Sequence, residues 1–102
     1  MIEVIYLDPA RDEMIEAACW YDDQQHGVGG EFLNEVDRAI DRLLFDPEAR
    51  PTLAANVFRQ RVDRFPFDLV YQSRPNQIVI VAAAHHSRKP AYWRRRNPRG
   101  SR

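Results

Sequence analysis

Seven consecutive apolar residues, Ile78 to Ala84, constrain this chain more than any other feature. A strand with one wet face alternates apolar and polar side chains. This run does not alternate, is too short for a typical helix and opens with β-branched residues, so it reads as a central strand covered on both faces. The strand ends in His85 and His86, and Arg88, Lys89, Tyr92, Trp93, Arg94, Arg95 and Arg96 follow at once. Basic and aromatic side chains therefore gather where the most deeply buried element reaches the surface, a common way to build a site on a rigid support.

The partners of that strand lie on both sides of it in the sequence. Glu3 to Leu7 reads as a short strand, with Val4 and Tyr6 on one face and Ile5 and Leu7 on the other. Asp8-Pro9 supplies an N-cap and a Pro at the first helical position, and Asp12, Glu13 and Glu16 place negative charge at the positive end of the helix. Ala10, Met14, Ala17, Ala18 and Tyr21 form its apolar face. Ile15 and Cys19 fall opposite, either as isolated exposed residues or as a partner contact. Gly27-Val28-Gly29-Gly30 does not follow a strand, so it reads as a turn between helices and not as a phosphate loop. Phe32, Val36, Ala39, Ile40 and Leu43 repeat the apolar spacing, with Glu31, Glu35, Arg38 and Arg42 on the other side, until Asp46-Pro47 stops it.

Residues 47–56 are expected to be a loop, and Val57 to about Arg64 a strand with Arg59 and Arg61 facing away from Phe58 and Val62. Pro66 marks a bend, Asp68 to Ser73 a further strand, and Arg74-Pro75-Asn76-Gln77 a hairpin turn. The prediction is an α+β domain over residues 1–96: a helix hairpin on a mainly antiparallel four-stranded sheet, in the order β-α-α-β-β-β. The tail from Asn97 to Arg102 is expected to be disordered.

The formal net charge of zero hides a division. Residues 1–50 hold 13 acidic and 4 basic side chains, whereas residues 51–102 hold 2 acidic and 11 basic. An acidic and a basic side follow, which is also what an ordinary solvated surface with acid-rich helices would give. Cys19 is the only cysteine, so no intramolecular disulfide can form, which fits a reducing cytoplasm. The N-terminus has no basic segment followed by a long apolar core, so a soluble, unexported protein is expected.

Adjacent strand residues point to opposite faces, so His85 and His86 do not jointly grip a metal, and no third ligand stands at zinc spacing. Neither a metal nor another cofactor is expected. There is no GxSxG, no cysteine beside a base, and no paired carboxylates in the basic half.

Arg64-Phe65-Pro66-Phe67, Tyr71, the strand through Val81-Ala82-Ala83, and then His85, Arg88, Pro90, Trp93 and Arg96 form a spaced pattern. It resembles RFP[YF]xxxY, an apolar strand and HxxRxPxxWxxR of the RelE/ParE toxins of bacterial toxin-antitoxin systems, also called plasmid stabilisation proteins. Phe32, Ala39-Ile40 and Asp46-Pro47 look like that family's second helix and its stop. The resemblance implies a toxin neutralised by a cognate antitoxin in a hetero-oligomeric complex. It further implies metal-independent cleavage of messenger RNA on the ribosome, with poisoning of DNA gyrase or an inactive antitoxin-binding module as alternatives. For RNA cleavage the implied catalytic set is Arg61, His85, Arg88 and Tyr92. Arg61 and Arg88 would hold phosphate, His85 would be base or acid, and Tyr92 would stack or assist proton transfer. His85 also has a purely structural reading, closing the sheet through hydrogen bonds. The basic strand is built from arginine, with Lys89 its only lysine, which favours the gyrase alternative. Trp93 is expected to pack against the helices and Phe65 to lie in the core.

Overall fold

The computed structural model describes residues 2–96, so the expected disorder of the tail from Asn97 lies outside the described residues. Strand β1 (Glu3–Tyr6) is followed by helices α1 (Asp8–Gln24) and α2 (Val28–Phe45), then strands β2 (Thr52–Ala54), β3 (Val57–Val62), β4 (Phe67–Arg74) and β5 (Gln77–His85). They form one sheet in the order β1-β5-β4-β3-β2, parallel between β1 and β5 and antiparallel elsewhere. The α+β class and the helix hairpin are as expected. The sheet has five strands where four are predicted, because three residues of the expected loop, Thr52–Ala54, pair with β3 through an irregular register. A strand this short carries no alternation to read. Among the described residues no helix is long and apolar enough to cross a membrane.

Helix α1 begins one residue earlier than Asp8-Pro9 implies. Leu7 is the extended cap residue, Asp8 and Pro9 occupy the first turn, and Asp8 bonds Arg11 at 3.2 Å instead of capping. The helix connection is tight for a definite reason. Gly27 sits at φ 94°, and the Asp22 carboxylate accepts from the backbone N–H groups of Gly27 and Gly29 at 2.9 and 3.1 Å, capping α2 from α1. A side chain at Gly29 would bring its Cβ to 2.3 Å from the Ala18 carbonyl oxygen, so only glycine lets the two helices approach this closely.

The helix hairpin covers one face of the sheet. Phe32, Val36, Ala39 and Leu43 of α2 and Ala10 of α1 meet Phe58, Val62, Leu69, Tyr71, Ile78 and Ile80. An aromatic group of Tyr21, Phe32, Phe65 and Phe67 closes one end, with ring centroids 4.8–5.4 Å apart for the pairs that meet at Tyr21–Phe32, Tyr21–Phe65, Phe32–Phe65 and Phe32–Phe67. Phe65 is thus in the core as expected. Glu35, assigned to the solvent face of α2, is buried instead. Arg38 at 2.8 Å and Arg64 at 3.7 Å cover its carboxylate, so an ion pair brings under cover a residue whose position alone reads as exposed.

The other face has its own small core of Val57, Val70, Val81, Ala82 and Trp93. Trp93 is therefore buried, but on the sheet face opposite the helices and not against them. Strand β5 gives this core two neighbouring residues because it has a bulge. Val70 pairs with Ala82 and Tyr71 with Ile80, leaving Val81 unpaired, so Val81 and Ala82 both serve the second core before Ala83 returns to the helix side. Ala91 then adopts φ 61° and starts the short 3-10 turn Tyr92–Arg95 that lays Trp93 down.

Candidate functional site

The candidate surface lies where β3 and β5 end beside the start of β4 and the segment after His85 folds back over the open sheet face. The ladder places Arg61 opposite Asp68, and Asp68 opposite Ala84; in the next row Val62 faces Phe67 and Phe67 faces His85. Two consecutive rows point to opposite sides. Arg61 and Asp68 belong to the open face, while His85 lies with Phe67 on the helix side.

A cleft of about 380 Å³ opens on that face, lined by Arg59, Asp68, His86, Arg88, Lys89 and Arg94 over a floor that includes Val70, Ala84 and Trp93. His86 is set by its backbone, which donates to the Pro66 carbonyl at 2.8 Å and so extends the β4–β5 ladder by one more residue. Its ring Nε2 lies 3.2 Å from Asp68 Oδ1, and Arg59 Nη1 lies 3.8 Å from Asp68 Oδ2. One carboxylate thus fixes an imidazole and a guanidinium side by side.

The four residues of the expected catalytic set are not equally placed. Arg61 is exposed on the open face beside Asp68. Arg88 lies with its guanidinium carbon 3.9 Å from the Tyr92 ring centroid and its Nη1 3.7 Å from Glu13 Oε2. Tyr92 donates its hydroxyl to Glu13 Oε2 at 2.7 Å. Burial, together with that hydrogen bond and the Glu13 charge, pushes the Tyr92 hydroxyl well above the usual phenol range. His85 touches the Phe67 ring edge-on at 5.0 Å, accepts from the Ser87 backbone N–H through Nδ1 at 2.9 Å, and borders both the cleft and a small apolar hollow with Trp20. The structure therefore brings Arg88 and Tyr92 together, leaves Arg61 beside Asp68 but outside the cleft lining, and turns the His85 ring toward the helices.

Glu13 organises this region, although its sequence context marks it only as a helix-terminal charge. Its carboxylate accepts two bonds from Arg96, each 2.8 Å, one from Tyr92, and one from the Ala83 backbone N–H at 3.1 Å. Arg96 also donates to the Val81 carbonyl at 3.0 Å. These are the backbone groups of β5 beyond the reach of β1, whose last residue pairs with Ile80. Burial by itself would raise the Glu13 carboxyl, but the bonds from Arg96 and Tyr92 and the Arg96 charge hold it below the usual carboxylate range. Among the described residues, no group of three or more His, Cys, Asp or Glu side chains stands close enough to hold a metal ion.

No protein-family model matches the sequence, and no curated protein matches it. A solved structure described as "Chromosomal ParDE TA system from P. aeruginosa" superposes with a TM-score of 0.71 over 83% of this chain and 96% of that chain, at 13% sequence identity. The fold is RelE/ParE-like. Within that fold the helix hairpin occupies one face of the sheet, and the basic cleft of this chain lies on the other.

Proposed function

We propose that this chain is the toxin of a toxin-antitoxin module and that it acts by cutting messenger RNA in its basic cleft, without a metal. The observation that carries the reading is the cleft itself: Arg59, Arg88, Lys89 and Arg94 converge there with a carboxylate-held imidazole, on a fold shared with a chain of a ParDE toxin-antitoxin structure. Cations that meet a phosphodiester and a fixed proton acceptor are what a metal-free attack by a ribose 2′-hydroxyl requires. The cognate antitoxin is a protein whose docking segment is acid-rich, because the surface it must mask is dominated by arginine.

Expression of the chain alone arrests growth in this account. Co-expression with the open reading frame beside it restores growth and yields a complex on size exclusion. Normal growth of cells making the folded chain alone would remove the reading.

A second reading, poisoning of DNA gyrase, is favoured by one feature. Tyr92 and Arg88, two of the residues the RNA mechanism calls on, are engaged with Glu13 and with each other. A protein-binding surface needs such ordering and no free proton donor. The two readings part on whether new RNA ends or gyrase-dependent DNA breaks appear after induction.

A further inference from the structure

We propose that His86, held by Asp68, is the base that activates the 2′-hydroxyl in this cleft; this rests on the RNA-cleavage reading above. Asp68 Oδ1 lies 3.2 Å from His86 Nε2, so a neutral imidazole donates there and carries its lone pair on Nδ1. Among the described residues no other hydrogen bond engages the His86 ring, and the residue lines the cleft. His85 also borders the cleft, but its ring is held differently. Its Nδ1 is occupied by the Ser87 backbone N–H, and its ring lies edge-on to Phe67 on the helix side of the sheet.

The surroundings suit a phosphodiester on that lone pair. Arg59 approaches the other oxygen of Asp68 from β3, Arg61 stands opposite Asp68 in the ladder, and Lys89 closes the cleft from the loop after β5. Asp68 neutralises one positive charge and leaves the other cations available to non-bridging phosphate oxygens. In the reaction the 2′-hydroxyl gives its proton to His86 Nδ1 as the O2′–P bond forms. The P–O5′ bond breaks, the leaving 5′-oxygen takes a proton from water, and the hydroxide so formed takes back the proton from His86. The products are a 2′,3′-cyclic phosphate and a 5′-hydroxyl end. His86 is the catalytic residue and Asp68 a positioning residue that keeps the proton on Nε2.

The test is single-turnover cleavage of a message in programmed ribosomes by the purified chain and by H86Q, D68N and H85Q, with imidazole nitrogen NMR on each. Wild type cuts and leaves 5′-hydroxyl ends, and His86→Gln slows cutting by roughly 10² to 10⁴-fold, more than His85→Gln does. Asp68→Asn slows cutting by roughly 10-fold or more and releases the His86 ring from its single Nε2–H tautomer, a signature that a merely structural role would leave unmoved. Antitoxin binding by each variant certifies its fold. If His86→Gln, or a folded Asp68→Asn with unchanged tautomer, cuts like wild type, the assignment is overturned while RNA cleavage stands. If wild type leaves the message intact, both the assignment and the RNA reading fall.

Discussion

Single residues tie the segment after β5 to the rest of the fold, and Glu13 is the clearest case. It is on α1, yet it satisfies the β5 backbone at Ala83, both ends of the Arg96 fork and the Tyr92 hydroxyl. Replacing Glu13 by Gln leaves Arg96 partly buried without its counter-charge and should cost about 3 kcal/mol, measured by chemical denaturation at neutral pH. The pH dependence has a definite sign. A carboxyl held below its ordinary value when folded contributes stability above its unfolded value, about 4.3, and loses it as pH falls through the folded value. The gap between wild type and Glu13→Gln should therefore be full at pH 6 and shrink on acidification below about pH 4. Trp93 gives a second residue-scale test: at 8% exposure on the Val57, Val70, Val81 and Ala82 surface, Trp93→Ala should cost about 3–5 kcal/mol. An unchanged melting temperature would show the 3-10 segment to be detached.

Elements were legible where one physical signal dominates. The apolar faces of α1 and α2 stand out because five positions on each repeat with helical spacing, and all five from each lie in or against the core. The hairpin turn at Pro75-Asn76 was equally plain, since it is the whole interval between Arg74 and Gln77. What could not be read depends on contacts between distant residues. The bulge at Val81 adds one apolar residue to an apolar run and so leaves no mark, yet it decides which face Ala83 and His85 occupy. Glu35 is covered by Arg64, Glu13 by Arg96, and Asp68 meets His86, each across a separation that no local pattern spans. The site was legible in the same degree: His85, Arg88 and Tyr92 line the cleft and Arg61 stands opposite Asp68, but which face each of His85 and His86 takes follows only from the register. At the helix hairpin, Gly29→Ala must move α1 and α2 apart to relieve the contact with the Ala18 carbonyl and should cost about 1–3 kcal/mol in denaturation experiments. Gly30→Ala, with open space at its Cβ, should be neutral or stabilising in the same assay.

On the scale of the molecule, the division of charge in the sequence becomes a division of labour. The acids are concentrated on the half that supplies the helix hairpin, and the cations on the half that supplies β3, the loop after β5 and the cleft. On the proposed reading the cleft side meets the target, and its arginines suit a polyanion or an acid-rich protein segment. The measurement that tests this account most directly is made in one culture: induce the chain alone, map RNA 5′ ends across the transcriptome and assay gyrase-dependent DNA breaks in parallel. The account predicts new 5′-hydroxyl ends within translated messages and no rise in DNA breaks. Intact messages with gyrase-dependent breaks, or normal growth with neither signal, would contradict it.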